Sequence, residues 1–264
     1  MRACLLSLLL ALLALPATAC GGRERCKVAE GYYLALPPPQ WDGHTPLPVV
    51  VFIHGWNSSP EGMLRNRALI GALHRRGVML VLPWAQRGYW RQIGPGRAEP
   101  GRDEAAYIRR IMADLARRWP IDRGRILASG FSRGASLVWN LACYTRGLFT
   151  AYAPISGGFW HDTPASCPAG PVRLRHIHGR RDRVVAYDRQ GIYDSAPIPD
   201  GLALLARHDR CRPFPPARKR GRLACARARC ATGALEICLH DGGHSIPAEW
   251  VAEGYDWMIR ITGE

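Results

Sequence analysis

Short apolar runs alternate with amphipathic stretches along this chain. Leu47–Ile53 is a run of Val and Phe that ends at His54-Gly55, and Val78–Leu82 is a second that stops at Pro83. Runs of this length read as central parallel strands, because a strand covered on both faces has no solvent side to keep polar. Arg125–Ala128 reads as a short strand, Phe149–Pro154 as the next and Ala234–Leu239 as a late one. Val172–His178 is a further strand, with Val172, Leu174 and His176 alternating against Arg173, Arg175 and Ile177. Helical periods lie between them. Asp103 is placed to cap a helix running to about Trp119, with Ala106, Ile108, Ile111, Met112 and Leu115 on its apolar face. Gly71–Arg76 reads as the end of a helix, Arg133 to about Tyr144 as another, and Ala203–His208 as the end of a fourth. A last helix from Pro247 carries Trp250, Gly254, Trp257, Met258 and Ile261 on one side. Pro37-Pro38-Pro39 sets off an N-terminal arm, Tyr32–Leu36. Strands alternating with helices predict an α/β fold with a mostly parallel central sheet and helices on both faces.

The first 19 residues stand apart. One arginine, a Leu/Ala run from Leu5 to Leu15 and the end Ala17-Thr18-Ala19 make a secretory signal peptide. The run is too short to favour a membrane span, and no other segment is longer and apolar. The expected arrangement is a leader, 1–19, and one catalytic domain, 20–264, in a secreted or periplasmic protein. Ala17-Thr18-Ala19-Cys20 also resembles a lipobox with Ala17 where leucine is usual, so a lipid anchor at Cys20 is a second, weaker route. Beyond the leader the cysteines are Cys20, Cys26, Cys143, Cys167, Cys211, Cys225, Cys230 and Cys238. An even set in an exported chain implies disulfides, and the lack of any CxxC pair argues against zinc. Connectivity is open from sequence; the pairing taken as most natural is Cys20–Cys26, Cys143–Cys167, Cys211–Cys230 and Cys225–Cys238. For the last there is a geometric reason: Leu223–Arg229 and Ala234–Leu239 can form a hairpin turning near Ala231-Thr232, with Cys225 opposite Cys238.

The formal net charge is +15. Nearly all of it is arginine, a bias that a GC-rich genome also produces. The densest run is Arg218-Lys219-Arg220-Gly221-Arg222. It reads as a solvated loop in preference to a polyanion site, since export removes most nucleic-acid partners and no aromatic residues interleave it. The stretch Asp209–Cys230 is a disulfide-stapled excursion before the last strand, not a separate domain.

Chemistry is concentrated at Gly130-Phe131-Ser132-Arg133-Gly134, the G-x-S-x-G pattern of a nucleophile elbow. The chain passes from strand to helix there in almost no length, so the residues flanking Ser132 must be small. The serine then sits over a helix N-terminus, which favours developing negative charge. A base and an acid are expected in the order Ser, Asp, His. Asp182, in His178-Gly179-Arg180-Arg181-Asp182-Arg183-Val184-Val185, follows a strand, and His244, in Asp241-Gly242-Gly243-His244, follows the last strand. His244 would shuttle the proton and Asp182 would orient it. Asp188, Asp194 and Asp241 are rival acids; His176, His178 and His240 read as structural. The oxyanion donors expected are the backbone N–H groups of Arg133 and, from the loop His54-Gly55-Trp56-Asn57, of Trp56. His54 should buttress that loop. His54, Trp84, Tyr89, Trp90, Phe159 and Trp160, with His161-Asp162 nearby, are candidates for the pocket wall.

These motifs, with Phe52-Ile53-His54-Gly55 and Gly242-Gly243-His244 before Pro247, resemble the α/β-hydrolase esterases of the polyhydroxybutyrate depolymerase and feruloyl esterase group. The resemblance runs from about Tyr32 to Met258. It implies a cofactor-free serine carboxylic-ester hydrolase working through an acyl-enzyme, on soluble esters such as hydroxybutyrate oligomers or feruloyl and acetyl esters of polysaccharides. The chain departs from the group at Arg133, beside the nucleophile, and at Arg180, Arg181 and Arg183 in the acid loop. Their placement predicts a positive entrance suited to anionic esters. A peptidase or amidase on the same scaffold, and an inactive surface-binding protein using its basic face, are the alternatives.

Overall fold

The computed structural model describes residues 20–93 and 100–263, so the expected leader, 1–19, lies outside the described residues. Its strands are β1 (Cys26–Val28), β2 (Gly31–Leu36), β3 (Leu47–Ile53), β4 (Met79–Pro83), β5 (Ile121–Phe131), β6 (Ala151–Ile155), β7 (Arg173–Gly179), β8 (Arg218–Arg220), β9 (Leu223–Ala228) and β10 (Ala234–His240). Its helices are α1 (Pro60–Met63), α2 (Arg67–His74), α3 (Glu104–Arg118), α4 (Arg133–Tyr144), α5 (Ile198–His208) and α6 (Ala248–Thr262). All ten strands join one sheet in the order β1-β2-β4-β3-β5-β6-β7-β10-β9-β8. The six central strands, β4 to β10 in that order, are parallel, and an antiparallel pair flanks them at each end.

The sheet is buried on both faces, as the uninterrupted apolar runs require. Val49, Val51 and Ile53 of β3 pack on one side with α3, α4 and α5. Val50 and Phe52 pack on the other with α2 and α6. Asp103 caps α3 through its side chain, which accepts from the Ala106 amide. Gly254 lets α6 lie directly on the sheet: a Cβ there would stand 2.8 Å from that of Ala153.

Three elements differ from the sequence expectation. β5 begins at Ile121, not Arg125, because Leu47 pairs with Ile121 before a register shift. The N-terminal arm is two strands, β1 and β2, whose antiparallel pairing extends the sheet past β4. The basic run Arg218–Arg220 is an exposed edge strand on β9, not a loop. The alternation along β7 also fails at Arg175, which is buried in an ion pair with Glu236 at 2.8 Å, its register partner on β10.

The disulfides are Cys20–Cys26, Cys143–Cys167, Cys211–Cys230 and Cys225–Cys238. Cys225 and Cys238 are register partners on β9 and β10. Cys20, the residue of the weaker lipid-anchor expectation, is paired with Cys26. No helix among the described residues is long and apolar enough to cross a membrane.

Two predictions follow from this packing. Gly254→Val pushes α6 off the sheet and should cost about 1–3 kcal/mol, read as a fall in Tm of several degrees. His176 and His178 are fully buried on β7. Burial, with lesser help from neighbouring histidines, holds His178 down at about 4 and His176 well below its usual range. The unfolded chain therefore binds more protons than the native one below about pH 6.5. The histidine contribution to stability is complete above that pH and should be lost progressively toward pH 4, as urea midpoints measured across that range will show.

Candidate active site

The C-terminal ends of β5, β7 and β10 deliver Ser132, Asp182 and His244 to one edge of the sheet. Ser132 sits between β5 and α4 with φ 54° and ψ −124°. This is a left-handed φ that L-residues rarely adopt, so the surroundings must enforce it. They do so by close approach. A Cβ at Gly134 would lie 2.1 Å from the Ile53 carbonyl oxygen, one at Gly130 2.7 Å from the same atom, and one at Gly157 2.5 Å from the Ser132 carbonyl. The Ser132 amide donates to Ile155 at 3.1 Å, tying the turn to the end of β6.

His244 Nδ1 lies 2.7 Å from Asp182 Oδ2. Asp182 Oδ1 accepts from the amides of Val184 and Val185 at 2.9 and 3.0 Å. Burial pushes the Asp182 carboxyl up, but the His244 bond and charge and the two amides outweigh it, so it is held below the usual carboxylate range. Behind it runs a directed chain. The Trp139 indole N–H faces His176 Nδ1 at 3.3 Å, His176 Nε2 faces His178 Nδ1 at 2.8 Å, and His178 Nε2 faces the Val185 carbonyl at 2.8 Å. An indole N–H only donates and a carbonyl only accepts, so both imidazoles carry their proton on Nε2 and are neutral. The chain thus braces the loop that carries Asp182.

Ser132 and His244 line one cleft of about 790 Å³. Its walls are largely apolar and include Trp56, Met63, Tyr89, Phe131, Trp160 and Tyr193. Trp160 is held by its indole N–H on Ser136 Oγ at 2.8 Å. Tyr193 stacks beside it with centroids 6.0 Å apart, and the Arg133 guanidinium lies 4.1 Å from the Trp160 ring centroid. Arg133 Nε donates to the Trp90 carbonyl at 2.7 Å. Trp56 and Tyr193, which line the cleft, are among the exposed large hydrophobics of the described residues.

Several sequence candidates lie elsewhere. His54 is buried with Nδ1 on the Gly55 carbonyl and accepts the Trp90 indole N–H on its own carbonyl, supporting the loop without facing the cleft. Trp84 and Trp90 do not wall the cleft. Their loops fold back over the start of α3, where Arg102, in a buried 2.7 Å ion pair with Glu104, lies 5.5 and 5.7 Å from their ring centroids. Phe159 packs in the core against Trp139 at 5.2 Å. His161 pairs with Asp194, and neither it nor Asp162 lines the cleft. Of the four arginines expected at the entrance, only Arg133 lines it; Arg180 and Arg181 turn to Asp241, and Arg183 is exposed outside it. The rival acids are exposed, with Asp188 on Arg189 and Asp194 on Gln190. His240 accepts from the Gly242 amide and packs on Trp250. Tyr193 escaped notice in the sequence because nothing local marks it, and Ser136 reads there only as a small residue in the first turn of α4; the Trp160–Ser195 bridge and the Ser136 bond bring them to the site.

No protein-family model matches the chain. It is similar to "Putative esterase NocK" of Nocardia uniformis subsp. tsuyamanensis, 24% identical over 76% of this chain and 65% of that protein. It is also similar to "Probable feruloyl esterase C" of Aspergillus niger, 24% identical over 59% of this chain and 56% of that one. The chain thus spans less than two thirds of the length of these relatives. Among solved structures, a carboxylesterase from Mesorhizobium loti superposes with TM-score 0.59 at 17% identity, covering 89% of this chain and 98% of the other. An acetyl xylan esterase from Aspergillus awamori gives TM-score 0.59 at 14% identity, covering 84% and 94%. The chain has the α/β-hydrolase fold, and the relatives it resembles in sequence are esterases, feruloyl esterase C among them.

Proposed function

We propose that this protein is an exported serine carboxylic-ester hydrolase, with residues 20–264 as its catalytic domain. The observation that carries the reading is the 2.7 Å bond from His244 to Asp182 beside a cleft that His244 shares with Ser132, at an elbow held in a left-handed conformation. Ser132 attacks the ester carbonyl while His244 takes its proton. His244 then passes that proton to the departing alcohol and an acyl-enzyme forms. Water enters by the same route in reverse, with His244 as base, and releases the acid. Asp182 keeps the proton of neutral His244 on Nδ1, leaving Nε2 as the acceptor, and stabilises the imidazolium. The backbone N–H groups of Arg133 and Trp56 bind the oxyanion.

The largely apolar cleft suits esters with an apolar acyl or alcohol part, and the names of the relatives favour feruloyl or acetyl esters of polysaccharides, with hydroxybutyrate oligomers as a further class. Export is supported by four disulfides, which persist in oxidising compartments.

A fluorophosphonate probe should label the purified protein and fail on Ser132→Ala. The same substitution should lower kcat on p-nitrophenyl acetate by on the order of 10⁶-fold. Labelling that survives the substitution removes Ser132 from its role. Asp182→Asn should lower kcat by about 10⁴-fold with little change in KM, because the imidazole then loses its tautomer control; steady-state kinetics separate the two constants. A panel of methyl ferulate, acetylated xylan and hydroxybutyrate oligomers identifies the ester.

A further inference from the structure

Nine arginine or lysine residues fall between Arg207 and Arg229, nearly three times the mean density along the chain. All nine are exposed. The single carboxylate in that stretch, Asp209, is buried and occupied by His208 at 2.7 Å and the Val172 amide at 3.0 Å. Among the described residues, no carboxylate lies within ion-pair distance of Arg207, Arg210, Arg212, Arg218, Lys219 or Arg220.

The fold places these charges on one side of the sheet. The Arg212 amide donates to the Arg229 carbonyl at 2.7 Å, and Arg218, Lys219 and Arg220 pair with Cys225, Ala224 and Leu223. Arg212 therefore lies beside the residue that follows β9, and Arg218–Arg220 form the outermost strand of the sheet, with the uncharged residues 213–217 between them, so the basic ridge has two parts. Two disulfides, Cys211–Cys230 and Cys225–Cys238, fix it. At the Arg212 end it opens into a groove of about 550 Å³ with Leu202, Ala206 and Phe214 in its lining and Arg207, Arg210 and Arg212 around it. Tyr187 and Pro199 also line that groove, while Val184 and Val185, from the loop that carries Tyr187, line the cleft that holds Ser132.

Charged side chains and prolines also protect sheet edges from pairing with other chains. That need is met by a few charges on β8. It does not account for Arg207 and Arg210, which lie at the end of α5, nor for an apolar-floored groove between them.

We propose that this groove and ridge bind an acidic polysaccharide, with carboxylates held by the arginines and sugar faces set on the apolar floor. The inference deepens the ester-hydrolase reading by naming the polymer that presents the ester to the neighbouring cleft. A nucleic acid fits less well, since Phe214 is the only aromatic residue between Cys211 and Cys230 and gives successive bases no stacking platforms. A membrane fits less well too. Among the described residues, the exposed large hydrophobics are Trp56, Ile192 and Tyr193; Trp56 and Tyr193 line the cleft, Ile192 adjoins Tyr193, and none lies on the ridge to enter a bilayer.

The test measures binding of the full chain to polygalacturonate, single-stranded DNA and phosphatidylglycerol vesicles by titration calorimetry at low and high salt. Tightest binding to polygalacturonate is expected, weakened at least tenfold by R207Q/R210Q/R212Q and by R218Q/K219Q/R220Q, with p-nitrophenyl acetate turnover unchanged in both variants. Binding too weak to detect, binding that either variant leaves intact, or tighter binding to DNA or vesicles overturns the proposal. Ser132→Ala separates the two readings: it should retain polygalacturonate binding while losing turnover. A wild-type chain that binds the glycan but hydrolyses no ester overturns the enzymatic reading alone.

Discussion

The structure depends on how closely the backbone of β3 and β6 can approach the turn from β5 into α4. At Gly130, Gly134 and Gly157 there is no space for a single methyl group, because the carbonyls of Ile53, His54 and Ser132 occupy it. That crowding holds Ser132 at a φ that an unconstrained chain avoids. It also fixes which strands are neighbours, since β3 and β6 are the strands hydrogen-bonded on either side of β5. The parallel centre of the sheet and the exposed serine are thus one packing solution seen from two sides.

The acid and base are organised by a different force. The carboxyl of Asp182 is buried, where an unpaired charge is expensive, so it is surrounded by donors: two backbone amides and His244. The neutral histidines of β7 stand behind this loop and lend it a fixed direction without adding charge. Charge is instead displaced to the outside. Arg180 and Arg181 of the acid loop turn to Asp241, and the densest basic segment forms the far edge of the sheet. Among the described residues, Arg133 is the one arginine or lysine that lines the cleft, laid across Trp160.

By itself the sequence determined what depends on local periodicity and local spacing. The apolar runs of β3 and β4 named themselves, α3 was legible from its cap and apolar face, and the hairpin of β9 and β10 put Cys225 opposite Cys238 because strand pairing has period two. The spacing around Ser132 and the loops holding Asp182 and His244 were visible for the same reason: each follows the end of a strand, with a glycine close by. Tertiary structure alone decided which aromatics face the cleft. Trp84 and Trp90 follow a strand just as Trp160 does, yet a buried Arg102–Glu104 pair draws them inward, while Ser136 holds Trp160 at the opening. It also decided that Arg175 is buried and that Arg218–Arg220 is a strand, since both depend on a partner, Glu236 or β9, supplied from elsewhere in the chain. A side chain's direction is set by the groups that meet it, and those groups are brought together only when the sheet closes.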